Sequence, residues 1–144
     1  MMWVEHAQRE NKLKTRIILI LILLMAIYHA GIGFMAYFMP DEFYKTTSHT
    51  GAFNQHFIRD VGAAYLTAGL GLFLAVFIRV WRLPCLLMAG LFLLLHAFIH
   101  VQEIVTGVTH RSHYQLDVLG VLVPGFIVLF AALYFAKTQK VTSS

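Results

Sequence analysis

Four long apolar runs, separated by short polar segments, dominate the pattern of the sequence. Each run is long enough for a helix that crosses about 30 Å of hydrocarbon, which takes roughly 20 residues. The predicted helices cover about residues 17–39, 57–78, 84–105 and 113–136. Pro40 follows the first run and Gly107 follows the third, where these residue types typically end helices. The pattern predicts an all-α fold: a four-transmembrane-helix bundle that forms one membrane domain over residues 1–144.

The composition supports a membrane protein. Hydrophobic residues make up 59% of the chain and charged residues only 12%, whereas a soluble domain carries roughly 25% charged residues. A chain of this length cannot hide four such runs inside a water-soluble core, because too little of a small domain is interior. Cys85 is the only cysteine, which excludes an intramolecular disulfide and any cysteine-rich zinc or iron–sulfur site.

The basic residues are distributed unevenly over the two sides of the predicted bundle. Lysine and arginine near the ends of membrane spans favour the cytoplasmic side. The N-terminal segment, the turn after the second helix and the C-terminal tail share one side and carry eight of the eleven basic residues; the other side carries Lys45, Arg59 and Arg111. This asymmetry predicts a multi-pass integral membrane protein with both termini in the cytoplasm, in the inner or plasma membrane if it is bacterial.

Histidines and carboxylates recur in the half of the predicted bundle that faces outward. Three helices each place a histidine and a carboxylate three or four residues apart, a spacing that puts both on one helix face. The residues of these pairs are His56 and Asp60, His100 and Glu103, and His113 and Asp117. Because polar groups at membrane depth are costly without partners, we expect the pairs to line one outward-facing pocket, with Arg59 at its edge. Glu103 is expected to face a cation, because the dipole disfavours an anion in the last turn of a helix.

Imidazole and carboxylate groups together suit zinc, iron or copper, so this pocket is a candidate transition-metal site. Hydrogen bonding among the same side chains and water is the alternative that the residues leave open. His29 and His96 lie at similar, near-central depth on two different predicted helices, as axial haem ligands do, and are therefore candidate cofactor-binding residues. Each could equally be an interior histidine bonded to a backbone carbonyl or to Tyr28.

Small residues recur at helical spacing and predict which faces of the helices pack together, because small side chains let helices approach closely. On the first helix this face comprises Ala26, His29, Gly33 and Ala36. On the second helix the predicted interior stripe comprises Arg59, Ala63, Thr67, Gly71 and Ala75. On the fourth, Pro124 is expected to leave a backbone carbonyl inside the bundle without its helical partner.

The second predicted helix carries a His-x-x-Arg-Asp-x-Gly motif at His56, Arg59, Asp60 and Gly62. In this motif, in size and in helix count, the chain resembles small bacterial four-helix membrane proteins that are similar to the DoxX-like group. The resemblance covers the whole chain in architecture and about one helix in motif. It implies an accessory membrane subunit and leaves the chemistry open.

Three functions are consistent with these features. The first is a binding or accessory protein whose outward-facing His/carboxylate pocket holds a metal ion or haem. The second is an enzyme acting on a lipophilic substrate, with the histidines and carboxylates as acid–base groups; the third is a structural subunit of a larger membrane complex. Membrane lipids are the expected partners, together with other membrane subunits or a second copy of the chain. Nucleic acid is not expected, because the basic residues form no stripe with interleaved aromatic side chains.

Overall fold

A computed structural model describes residues 2–48, 52–107, 115 and 118–142 of the chain. Within these residues all regular secondary structure is helical and there are no strands. The helices are α1 (Met2–Phe38), the single turn α2 (Pro40–Phe43), α3 (Gln55–Phe77), α4 (Arg82–Thr106) and α5 (Val123–Thr142). π-Helical segments at Tyr44–Ser48 and Val118–Leu122 and a 3-10 turn at Arg79–Trp81 complete the described chain.

The ends of these helices follow local chemistry. The side chain of Asn54 accepts a hydrogen bond from the Phe57 backbone N–H at 3.1 Å and caps the start of α3. Gly107 ends α4 in the left-handed conformation, with φ 73°, which confirms the helix end predicted there. The helix α1 begins well before the apolar run, in a charged segment where Lys14 and Glu10 form an ion pair at 2.8 Å. The predicted start of the fourth helix, at residue 113, lies outside the described residues.

Four helical segments of the described chain are long and apolar enough to cross a membrane. They are Gln8–Phe38, Gln55–Phe77, Arg79–Thr106 and Val118–Thr138. Large apolar side chains project from all four, including Phe34, Leu70, Leu95 and Phe130, each with more than half of its surface exposed. An apolar exterior of this extent is favourable in lipid and unfavourable in water. The prediction of an all-helical chain with four helices long and apolar enough to span a membrane is confirmed.

Sequential helices are neighbours in the bundle. The helix α1 packs along α3, α3 along α4, and α4 along α5, whereas contact between α1 and α5 is more limited. Fully buried side chains from every long helix meet in the main core: Ile22, Leu72, Leu86, Leu93 and Val128. A hydrogen bond at 2.9 Å joins the hydroxyls of Thr15 and Tyr134, so the N-terminal part of α1 and the C-terminal part of α5 lie at the same end.

The closest helix pair, α1 with α3, depends on glycine. A Cβ atom added at Gly62 would lie 2.6 Å from the backbone nitrogen of Tyr37, and one added at Gly69 would lie 2.7 Å from that of Ala30. On the opposite helix, a Cβ at Gly33 would lie 2.5 Å from the backbone nitrogen of Leu66. Real Cβ atoms do not approach backbone so closely. The two helices therefore touch backbone to backbone at three levels, as small residues permit in membranes.

The predicted packing face is correct for α1 and wrong for α3. All four predicted residues of α1 are buried, from Ala26 to Ala36. On α3, by contrast, Arg59, Ala63 and Thr67 are exposed, and only the far end of the predicted stripe is covered. The buried residues of α3 are Ile58, Gly62, Tyr65, Ala68, Gly69, Leu72 and Ala75. The neighbouring face is the one buried because its glycines, and not the alanines and threonine of the predicted stripe, allow backbone contact with α1.

Arg82 closes the end of the bundle where α3 stops. Its guanidinium donates to the carbonyl oxygens of Ala75 at 2.8 Å and Val76 at 3.1 Å, two groups that the last turn of α3 leaves without helical partners. The guanidinium carbon also lies 4.9 Å above the ring of Phe135 on α5. A cation at a helix C-terminus is favoured by the helix dipole, so Arg82 joins three helices through its side chain and the start of α4.

Candidate functional site

A cluster of histidine and aromatic rings lies inside the bundle, in the half away from the termini. Tyr65 on α3 is at its centre: its ring stacks on His29 of α1 at 5.8 Å between centroids and meets His96 of α4 edge-on at 5.4 Å. Phe92 and His100, one turn to either side of His96, extend the cluster along α4. Tyr65 thus links the two histidines, His29 and His96, that the sequence predicts as cofactor-binding residues.

His29 is the most completely buried polar side chain of the described residues, with 1% of its surface exposed. Its Nδ1 atom lies 2.6 Å from the carbonyl oxygen of Met25, one turn earlier in α1. Since a carbonyl oxygen can only accept, Nδ1 carries the proton, and in the neutral ring Nε2 has the lone pair. This is the same orientation that a backbone carbonyl imposes on histidines that bind metals through Nε2. It also satisfies the alternative prediction of a backbone-bonded interior histidine.

His96 and His100 form the closest pair of imidazoles. Four residues apart on α4, they share a face, and their Nε2 atoms are 3.1 Å apart. Both side chains are half-buried. Two nitrogen atoms at this separation can share a proton in an N–H···N hydrogen bond or coordinate a common cation. The pair is thus the strongest candidate for ligand binding among the described residues.

A hydroxyl from α1 compensates the proline of the fourth membrane segment. Pro124 has no N–H, so it cannot donate to the carbonyl of Gly120, four residues earlier. The hydroxyl of Tyr28 donates to that same carbonyl at 3.0 Å. Gly120 itself belongs to the π-helical turn Val118–Leu122. Pro124 thus leaves a carbonyl without its helical donor, as predicted, and Tyr28 is its partner in a hydrogen bond on an exposed face of the helix pair.

The pair His56 and Asp60 forms as the spacing predicts, with His56 Nε2 3.4 Å from an Asp60 carboxylate oxygen. Both side chains are highly exposed, at 90% and 65%. Arg59 is exposed beside them and donates to the side-chain oxygen of Gln55 at 3.0 Å, with the Gln55 amide oriented accordingly. His56 and Arg59 line an open depression whose walls, among the described residues, come from the segment 52–59. This first pair therefore lies at the surface where α3 begins.

The second predicted pair is arranged differently. His100 turns its Nε2 towards His96, and Glu103 is half-buried near the end of α4. No lysine, arginine or histidine among the described residues lies within 4.0 Å of the Glu103 carboxylate. The third pair, His113 and Asp117, lies outside the described residues, as does Arg111. Among the residues that are described, no three histidine, cysteine, aspartate or glutamate side chains are gathered closely enough to hold a metal ion.

Tyr65 and Phe92 belong to the interior cluster but have no role in the sequence-based prediction of the site. Tyr65 lies in an apolar run, and nothing in its local sequence distinguishes it from a tyrosine facing lipid. The contact between His96 and His100 has a sequence signal, the His-x-x-x-His spacing on one helix, but the carboxylate at Glu103 competes with it for His100. Only the packing of α3 against α1 and α4 brings these rings together.

No family model matches the sequence, and searches of curated proteins and of solved structures return no match. The resemblance to the DoxX-like group stays a prediction.

Proposed function

We propose that this chain is a small integral membrane protein that binds a transition-metal ion inside its helix bundle and acts as a binding or accessory protein. The proposed ligands are the Nε2 atoms of His96 and His100. His29, oriented by Met25 on the other side of Tyr65, is the next available imidazole. Of the six residues predicted from the sequence as metal ligands, His100 is retained here and is joined by His96, whereas the exposed pair of His56 and Asp60 is left out.

The separation of the two Nε2 atoms carries the proposal. Zinc–imidazole bonds measure about 2.0–2.1 Å, so nitrogens 3.1 Å apart subtend an angle of roughly 100° at a shared metal ion, close to tetrahedral. Neutral imidazole suits zinc, copper and iron. Such a site needs further ligands: Glu103 follows His100 by three residues on α4, and the sequence offers His113 and Asp117. A simple N–H···N hydrogen bond also explains this half-buried imidazole pair, and metal analysis distinguishes the two.

The test is metal analysis of the purified protein, followed by titration of the metal-free form with Zn²⁺, Cu²⁺ and Co²⁺. We expect one equivalent of metal in the wild type and its loss in His96→Ala and in His100→Ala, because a site of this kind rarely survives removal of an imidazole ligand. His56→Ala, which removes the exposed histidine, is the matched control and should retain the metal.

Two results would contradict the proposal. One is a wild-type protein that binds none of the three ions while His100→Ala merely lowers thermal stability, as expected of a hydrogen bond. The other is a metal that both interior variants retain and His56→Ala loses. The first outcome would leave the membrane enzyme and the structural subunit as the remaining alternatives, and the second would place the metal at the His56 pair.

We also propose that both termini face the cytoplasm. The eight-to-three distribution of basic residues supports this orientation, and the contact between Thr15 and Tyr134 at one end of the bundle is consistent with it. Cysteines introduced at Ser48 and Ser144 in a Cys85→Ser background provide the test. A membrane-impermeant thiol reagent added outside should label the cysteine at position 48 and not that at 144; the reverse pattern would refute the orientation.

A further inference from the structure

An apolar groove runs between α1 and the fourth membrane segment, where the bundle is least tightly closed. Its volume is about 280 Å³, and its lining is entirely apolar apart from backbone: Ile18, Leu21, Val123, Phe126, Ile127, Phe130 and Ala131. It lies within two of the four segments able to cross a membrane. It is separate from the histidine cluster, whose rings come from α1, α3 and α4.

Hydrogen bonds tie the two helices together beyond both ends of this groove. Tyr28 bonds to the Gly120 carbonyl at 3.0 Å on one side, and Thr15 bonds to Tyr134 at 2.9 Å on the other. The helices are antiparallel, so these contacts lie at opposite ends of the shared length. The groove therefore lies between two contacts that fix the spacing of the helices at its ends.

The length and cross-section of the groove limit the kind of ligand that can enter it. The lining of α5 extends over nine residues, or roughly 12 Å of helix at 1.5 Å per residue. A volume of about 280 Å³ over that length leaves a mean cross-section of roughly 23 Å², far too narrow for a helix with side chains about 10–12 Å in diameter. One hydrocarbon chain can lie along this length, whereas a helix from a second copy is too wide to enter and could contact the groove only through inserted side chains.

Two lysines stand at the terminal end of the groove. Lys14 precedes Ile18 by four residues on α1, and Lys137 follows Phe130 by seven on α5, so each continues the groove-lining face of its helix. Both ammonium groups are exposed, and Glu10 pairs with Lys14 at 2.8 Å. No carboxylate among the described residues lies within 4.0 Å of Lys137. The terminal end of the groove thus carries two lysines, one of which is paired with Glu10, and the hydroxyls of Thr15 and Tyr134.

We propose that this groove is a binding site for an anionic phospholipid, with one acyl chain between α1 and α5 and the phosphate at Lys14 and Lys137. The arrangement follows the chemistry of the ligand, because an apolar slot takes the chain and lysines at the membrane boundary attract the anionic headgroup. The site is independent of the proposed metal centre.

Native mass spectrometry of the full-length protein, titrated with 1-palmitoyl-2-oleoyl phosphatidylglycerol or the matching phosphatidylcholine, tests the proposal. The two lipids have the same acyl chains and differ in headgroup charge. We expect one phosphatidylglycerol to be retained in preference to phosphatidylcholine. Lys14→Gln and Lys137→Gln should each weaken phosphatidylglycerol binding about fivefold, since one lysine near the membrane surface contributes about 1 kcal/mol, and should leave phosphatidylcholine binding unchanged.

Matched controls separate the groove from the general lipid surface. Lys45→Gln removes another lysine paired with a glutamate one turn earlier, Glu42 at 3.2 Å, and should have no effect on lipid retention. Leu21→Trp fills the groove and should reduce retention of both lipids, whereas Leu24→Trp, on the exposed surface of the same helix, should not. If Leu21→Trp does not fold, Leu21→Phe makes the same test with a smaller ring.

Three results would overturn the proposal. Equal binding of phosphatidylglycerol and phosphatidylcholine by the wild type would show that the lysines do not bind the anionic headgroup. Equal lipid retention by Leu21→Trp and Leu24→Trp would show that the acyl chain does not bind in the groove. A wild-type dimer that Leu21→Trp converts to a monomer, with lipid retention unchanged, would identify a second copy as the occupant.

Discussion

Replacing Gly62 with alanine should separate α1 from α3, because the added methyl group meets backbone and not a movable side chain. The new Cβ atom would lie 2.6 Å from the backbone nitrogen of Tyr37 and 2.9 Å from its Cα. Rotation of a side chain cannot relieve these contacts, so one helix has to shift. Gly31 supplies the matched control: it is on α1, and a Cβ atom added there meets nothing within 4 Å.

The difference between the two variants isolates the packing effect. Alanine is better than glycine inside a helix by about 1 kcal/mol, and this gain applies to both Gly62→Ala and Gly31→Ala. Overpacking costs typically 1–3 kcal/mol, and contact with backbone belongs at the upper end of that range. We therefore expect Gly62→Ala to be less stable than Gly31→Ala by about 3 kcal/mol. For a chain of this length that is roughly 10 °C in melting temperature.

Cys85 provides the assay, because it is the only cysteine of the chain and is half-buried. A fluorogenic thiol reagent reports its exposure as the detergent-solubilised protein is heated. Gly69→Ala, whose Cβ would lie 2.7 Å from the backbone nitrogen of Ala30, should repeat the effect of Gly62→Ala. Equal melting temperatures for Gly31→Ala and Gly62→Ala would refute the inference that backbone contact holds these helices together.

Two further predictions use the same assay. Arg82→Gln should lower the free energy of unfolding by about 1–3 kcal/mol, because it removes charged hydrogen bonds to two carbonyls of α3 and the contact with Phe135; the exposed Arg79→Gln is its control, and equal losses in both variants would contradict the capping role. Tyr28→Phe should lower it by about 0.5–1.5 kcal/mol, because the Gly120 carbonyl then loses its donor. An unchanged melting temperature would show that water or lipid satisfies this carbonyl equally well.

The four apolar spanning segments could be predicted from the sequence because they are local, whereas α1 begins at Met2 and not at the predicted residue 17. Twenty consecutive apolar residues form a helix of membrane-spanning length whatever their neighbours are. The left-handed glycine at Gly107 and the carbonyl released by Pro124 are equally local, since each follows from the backbone chemistry of one residue. The packing face of α1 was also predictable, because its small residues form a single stripe around His29.

The tertiary structure decided which face of α3 is buried and where the histidines meet. In a helix of a water-soluble protein, the polar face identifies the side exposed to solvent. Lipid is as apolar as a protein core, so polarity does not distinguish the exposed face of a membrane helix from its buried face. The helix α3 carries small residues on two adjacent faces, and contact with α1 selects the face of Gly62 and Gly69. Spacing predicts equally that His100 can face Glu103 or His96. Only the packing of α3 against α1 and α4, with Tyr65 between them, brings His29 into one interior cluster with His96 and His100. His56 remains at the surface, where α3 begins.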